Sequence, residues 1–428
     1  MTSTSLYEPW SPFQKIGFRF SMIFFLLLIA FSNNGAYPFW DVLMHYPTEW
    51  LHQLIPWLAE HVFQVPYEIT VFTNGSGDTT YDYLLILCYF LLAVLGATIW
   101  SLVDRQSQDY RKLYYWLSVA IRYYVGLMLI QYGMVKVIQL QFPQPGFYRL
   151  PQAYGDSSPM GLAWTFLGFS KGYNLFMGVA ECAAGLLLFR RTATLGACIT
   201  LGVAANVMAI NFFFDVPVKI ISTTLVTMSL FLLLRDGKRI WNFFLSGQAV
   251  ALPRMIAPTF PQKWMRISKL VVKVLILGYA LGWGSVEVYQ AQYTYGSKKP
   301  QAPLHGLYEV ETFVRNQDTI PPLMTDTTRW MRISIEWEGY ATAYDMQARR
   351  LRFTTEFDST ANSITMTDRS DTTLFGTFTA VDLDSAHVQW SGIYGPDTLD
   401  LYLRKKQKSD FLLMNRGFHW ISEYPYNR

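Results

Sequence analysis

Only three cysteines occur in 428 residues, Cys88, Cys182 and Cys198, and no two are spaced as Cys-x-x-Cys. That scarcity excludes a disulfide framework, a zinc finger and a thioredoxin-like redox motif. Charge is scarce as well: 15% of residues are Asp, Glu, Lys or Arg, against roughly a quarter in a typical soluble chain. An ordinary cytosolic enzyme is therefore not expected. The net charge of +4 is small and unevenly placed, so no nucleic-acid partner is expected either. What replaces charge is apolar and aromatic surface, 51% and 17% of the residues. Mean hydropathy is nevertheless only +0.16, too low for a chain made wholly of membrane helices, so a membrane part joined to a soluble part is expected.

A bilayer core about 30 Å thick needs about 20 mostly apolar residues per helix. Seven stretches meet that requirement, at approximately 13–32, 82–103, 114–137, 172–189, 192–214, 216–234 and 268–290. The first is read as a retained helix, because it is long, lacks a small-x-small cleavage site and runs into Tyr37, Phe39 and Trp40. The loops on one side hold Arg105, Arg111, Lys112, Arg190, Arg191, Arg235, Lys238, Arg239 and further cations, whereas residues 34–81 hold no Lys or Arg. The positive-inside rule then places the N-terminus in the cytoplasm of a bacterial cell, in a multi-pass plasma-membrane protein whose residues after the seventh helix lie outside. Two amphipathic segments, 48–63 and 238–267, are expected to lie along the membrane surface.

The fold expected is thus a polytopic α-helical membrane domain over 1–292, a linker over 293–306, and a small antiparallel β-barrel, lipocalin-like, over 307–428. Ten short runs support the barrel: Leu307–Val314, Trp330–Trp337, Tyr340–Met346, Leu351–Phe357, Ser363–Thr367, Thr373–Val381, Ala386–Ser391, Asp397–Arg404, Phe411–Met414 and Gly417–Ile421. Trp337, Phe353, Phe375, Phe378, Trp390 and Tyr402 are read as facing inward and filling it. The ending from Arg416 to Arg428, dense in aromatic and ionisable residues, is expected to close the barrel or to dock on the outer membrane face, with a ligand role for His419 the weaker alternative.

Ionisable side chains at membrane depth are costly, which makes them functional candidates. Arg122 and Glu181 are each expected near the midplane, where they could meet as an ion pair, either structural or functional. Nearer the outer surface, Lys136, Asn206, Asn211, Asp215, Lys219, Glu287, Asp78 and Asp82 could wall one polar cavity suited to an anionic or quinone-like head group. Glu49 and His52 stand one helical turn apart, a spacing usable by a metal, but the wet face of a surface helix accounts for them and no metal is assigned.

These residues carry a resemblance. Arg122, Gly133 and Lys136 on one helix, Glu181 with Gly185-Leu-Leu-Leu on the next, and the basic turn Arg190-Arg191 resemble the DoxX family of the DoxD-like membrane superfamily, over residues 118–235. Gly75-Ser-Gly-Asp-Thr-Thr-Tyr-Asp, Ser158-Pro-Met-Gly, Asp215-Val-Pro-Val-Lys and Arg416-Gly-Phe-His-Trp-Ile resemble a longer branch of that family with a soluble C-terminal domain. The resemblance implies a four-helix core and a quinone-linked or complex-assembly role. The function expected is a membrane subunit or partner in a redox or envelope-stress assembly, with membrane or periplasmic protein partners and quinone as the cofactor to look for. A quinone-reducing enzyme, and a non-enzymatic transporter or lipid- or quinone-binding module that uses the outer barrel, are the alternatives.

Overall fold

The computed structural model describes residues 10–71, 75–251 and 261–427. The chain divides into two compact units, one of residues 1–142 and 158–297, the other of 143–157 and 298–428.

The first unit is helical. Its elements are α1 Pro12–Phe31, α2 Trp40–His61, α3 Thr80–Val103, α4 Arg111–Val137, α5 Pro159–Phe169, α6 Lys171–Cys182, α7 Ala193–Phe213, α8 Lys219–Leu234, α9 Gly237–Leu245, α10 Lys263–Gly278 and α11 Gly284–Thr294. Side-chain oxygens fix where several begin. Ser11 and Ser158 each accept from a backbone N–H three residues on and precede a proline at the first helical position, which satisfies donors that a helix start leaves orphaned. Ser158-Pro-Met-Gly is thus a helix-start signature. Thr79 and Asp82 form a reciprocal capping box on α3.

Five helices among the described residues are long and apolar enough to cross a membrane: α1, α3, α4, α7 and the continuous run Lys263–Thr294, which joins α10 to α11 through a π turn. α8 and α9 add a sixth if their 81° bend belongs to one span. The expected stretch 172–189 is divided between the 12 residues of α6 and a tight 3-10 turn, Ala183–Leu188. The cause lies in packing against α4. A Cβ at Gly133 would come 2.6 Å from the Gly178 carbonyl oxygen, so the two backbones touch there. Further along, the Leu187 carbonyl accepts from the Arg122 guanidinium instead of from its own chain. The surface segment expected at 48–63 falls in α2 as far as His61. Of that at 238–267, residues up to Leu245 belong to the helix Gly237–Leu245, 252–260 fall outside the described residues, and 263–267 begin α10, part of the candidate span Lys263–Thr294.

The second unit is a barrel. Strands β1 Gly306–Arg315, β2 Asp318–Thr319, β3 Trp330–Trp337, β4 Tyr340–Asp345, β5 Arg350–Asp358, β6 Ser363–Asp368, β7 Phe375–Asp382, β8 His387–Tyr394 and β9 Asp397–Lys406 pair antiparallel in chain order, apart from the two-residue β2, which only extends the β1 edge. β9 returns to pair with β1 over Leu307–Arg315, closing eight strands into an up-and-down barrel. Closure leaves no edge to pair with. That is why the strands expected at 411–414 and 417–421 do not form: Leu412–Asn415 is a short helix, and the ending neither pairs nor closes the barrel. Trp420 and Phe418 are 91% and 76% exposed there, and His419 lies exposed beside Arg416.

Of the six aromatics expected inside, Phe353, Phe378 and Trp390 are fully buried, while Trp337, Phe375 and Tyr402 face out. Alternation decides this. Phe375 and Phe378 differ by an odd number of residues and must point to opposite faces; likewise Trp390 pairs with Leu401, which puts Tyr402 on the other face. Trp330 completes the filling, its ring 5.6 Å from Phe353 and 6.1 Å from Phe378. The segment 143–157 belongs to this unit too. Its Tyr148 N–H donates to Glu336 and its Tyr148 carbonyl accepts from the Tyr344 hydroxyl, while Phe147 packs between His305 and Lys408.

Candidate functional site

On α4, side chains lean toward the helix N-terminus, so Lys136 reaches back over the Tyr132 ring, 5.8 Å from its centroid. There its ammonium meets Glu181 of α6, 2.7 Å from each carboxylate oxygen. The side chains are 7% and 4% exposed. Glu181 is therefore held by Lys136 and not by Arg122, which sits fourteen residues away on the same helix, about 21 Å along its axis. Arg122 is itself buried and donates from Nε to the Leu187 carbonyl at 2.6 Å. The pairing expected from depth alone is thus replaced by two separate cation sites, because the Gly133–Gly178 contact sets the α4–α6 register.

The pair lines a cavity of about 400 Å³ bounded by α4, the segment after it, and α5 to α8. Its wall is mostly apolar and aromatic, with Phe142, Trp164, Phe176 and Met177, and its polar points are Lys136, Glu181, Tyr132, Gln141, Asn206 and Asn211. Asn211 donates to the Val218 carbonyl at 3.2 Å. Gln141 Oε1 is buried without a hydrogen-bond partner. Such a pocket, concave and apolar with a few convergent polar groups, is of the kind that takes small ligands. A Lys ammonium carries three donor hydrogens; with two committed to the carboxylate, one is left to offer.

The remaining expected residues lie elsewhere. Asp78 is a cap: its carboxylate accepts the backbone N–H of Lys219 at 2.7 Å and of Ile220 at 2.9 Å, and the Gly77 N–H donates to the Pro217 carbonyl. The Gly75–Asp82 and Asp215–Lys219 motifs therefore clip onto each other at the start of α8. Asp215, 83% exposed, pairs with Lys219 at 3.0 Å, and neither lines the cavity. Asp82 takes the Thr79 hydroxyl and N–H and lines a second cavity of about 270 Å³, which shares Tyr132, Val218 and Ile221 with the first. Glu287 is exposed on α11. His52 lies 3.5 Å from Glu49, and among the described residues no group of three or more His, Cys, Asp or Glu side chains is placed to hold a metal ion.

Sequence reasoning missed Tyr132 and Gln141, although Tyr132 stands one turn before Lys136 on the same face. It also missed Arg19. Arg19 is buried and donates to Ser101 Oγ at 2.8 Å, the Asp104 carbonyl at 2.7 Å and the Tyr110 hydroxyl at 3.0 Å, tying α1 to the end of α3.

With this geometry in hand, comparison with known proteins gives one informative match. A protein of Bacillus subtilis strain 168, YwoB, described as uncharacterized, is 36% identical over 129 residues, 30% of this chain and 82% of its own length. The chain belongs to the YwoB family. No family model matches it, and no solved structure does. The kinship covers under a third of the present chain, so the site must be read from its own residues.

Proposed function

We propose that the chain is a multi-pass protein of the bacterial plasma membrane whose helical unit binds a neutral amphiphile, an isoprenoid quinone or a lipid of similar form, in the Lys136–Glu181 cavity. The observation that carries this reading is an ion pair with its charge cancelled, set in an apolar aromatic wall of ligand size. A neutral pair favours a neutral polar head: a quinone carbonyl can accept from the remaining Lys136 hydrogen, and the Gln141 oxygen can accept from a hydroxyl. An apolar tail finds Phe176, Trp164 and Met177.

In this reading the N-terminus is cytoplasmic and the barrel is periplasmic, which the distribution of cations favours. The DoxX-like motifs 118–235 make the four-helix core, and they support membership of a redox or envelope-stress assembly in which the protein is a subunit or partner. The barrel, of lipocalin-like up-and-down type, has its interior filled by Trp330, Phe353, Phe378 and Trp390, which favours a role in partner contact over ligand carriage.

The test is mass spectrometry of the protein purified in mild detergent. Wild type should co-purify with a quinone or lipid, and Lys136→Met and Phe176→Ala should each lower its occupancy at unchanged monodispersity. A wild-type protein that retains no amphiphile, or occupancy untouched by both substitutions, overturns the proposal.

A further inference from the structure

The second cavity, of about 270 Å³, is walled by the end of α1, by α2, by parts of the 70–79 segment, and by α3, α4 and the start of α8. Its charge differs from that of the first. Asp82 lines it, and no Lys or Arg is among its described lining residues; residues 34–81, which supply much of the wall, contain neither. Lys219, at the start of α8, turns instead to Asp215 at 3.0 Å and to Asp78 at 3.8 Å. Asp82 caps α3 with one oxygen: Oδ2 takes both the Thr79 N–H and the Thr79 hydroxyl. A carboxylate has two acceptor oxygens, so capping does not exhaust it.

The rest of the wall is rich in rings. Phe31, Tyr81, Tyr124 and Tyr132 line the cavity, as does His52, whose ring meets that of Tyr81 edge-on with centroids 5.6 Å apart. Tyr81 directly precedes Asp82, and the Tyr124 ring is fixed by its hydroxyl, which donates to the Ser32 carbonyl. An anion would meet the carboxylate and the negative faces of these rings. A metal ion wants several close ligands, and among the described residues no group of three His, Cys, Asp or Glu is placed to hold one. The volume is also that of several water molecules, at about 30 Å³ each. What uses the carboxylate and the rings together is an ammonium with a carbon body: the carboxylate takes its charge and ring faces take the groups around nitrogen.

We infer that the second cavity binds an organic ammonium group of the size of choline or ethanolamine, its charge on Asp82 and its carbon substituents among Tyr81, Tyr124 and Tyr132. The inference uses neither the Lys136–Glu181 pair nor its ligand, so it stands or falls apart from the proposed function.

Full-length protein in mild detergent is titrated by calorimetry with choline, with ethanolamine and with 3,3-dimethylbutan-1-ol, the uncharged carbon isostere of choline. Choline should bind at least about tenfold more tightly than the isostere. Asp82→Asn keeps an oxygen for the Thr79 cap and should erase that preference. Tyr81→Leu should weaken choline about fivefold, and Glu287→Gln, exposed on α11, should leave it unchanged. Should the cavity variants fail to fold, the comparison of choline with its isostere on the wild-type protein decides the matter. Native mass spectrometry then separates the sources: phosphatidylethanolamine that survives purification and is displaced by choline makes a lipid head group the natural occupant, whereas choline bound with no lipid displaced makes it a soluble amine. No binding of either amine, isostere binding as tight as that of choline, or choline binding unchanged by Asp82→Asn overturns the site.

Discussion

At the centre of the barrel stand Trp330, Phe353, Phe378 and Trp390, ring against ring, while at the centre of the helical unit stands Lys136 with both oxygens of Glu181 and an open volume beside them. Both units bury an apolar core, but the helical unit also sets a buried ion pair beside open space. The barrel follows the rule of a protein in water, apolar within and Thr-rich without. The helical unit leaves Phe90, Leu91, Leu95 and Ile99 of α3 exposed and encloses its ions. A filled interior can only stabilise; an interior with charge and space can bind. That difference is what directs our proposal of a ligand to the helices and of partner contact to the barrel surface.

The largest effects should come from the two centres. Trp390→Ala should cost about 3–5 kcal/mol of barrel stability, read from protease resistance and thermal unfolding of the whole protein; a cost below about 1 kcal/mol would mean that the barrel is not filled. Lys136→Met strands a buried carboxylate and should cost a similar 3–5 kcal/mol, with Lys136→Met plus Glu181→Leu recovering most of it. If the double variant is no better than the single, the pair is not what the lysine was serving. Gly133→Ala should cost about 1–3 kcal/mol by forcing α4 and α6 apart at their contact, and should alter ligand retention through the shared register.

A smaller effect separates the units by pH. Hydrogen bonds from Thr360 and from Thr373 hold the Asp358 and Asp371 carboxyls below the usual carboxylate value of 3.8, and the Arg315 guanidinium does the same for Asp397. A carboxyl whose pKa is lower in the folded state stabilises above its unfolded value and loses that contribution as pH falls through the folded one. The barrel's unfolding midpoint should thus be flat from neutral pH down to about pH 5 and fall below about pH 4, with Thr360→Val flattening the fall. Smallest of all, Trp337→Ser on the outer face should change stability by no more than about 0.5 kcal/mol. A larger loss would show that the exposed aromatics are already covered.

Most of the barrel could be read from alternation and turn residues, because each strand reports on itself. What could not be read was closure, a property of β1 and β9 together; without it Phe411–Met414 and Gly417–Ile421 look as strand-like as their neighbours. The same limit applies to the site. Lys136, Glu181, Asn206 and Asn211 stood out because polar groups are rare in apolar runs, but their partners depend on helix register, which a Gly–Gly contact between two helices decides. Depth alone paired Arg122 with Glu181. Asp78 and Asp82 stood out for the same rarity and proved to be caps, since a carboxylate at a helix start and one at a ligand site look alike in one dimension.

The 143–157 segment also bears on the order in which the molecule is made. Tyr148 and its partner Glu336 are 188 residues apart in the chain, and the barrel itself is shut only when Leu399–Lys406 have joined β1. A segment synthesised directly after α4 must therefore wait, with its Phe147 side chain uncovered, until nearly the last strand has emerged. Contacts of such separation form late and slowly. The placement of this segment also means that trimming the chain at 298 would not yield a clean helical unit, but one still carrying a part of the barrel's surface.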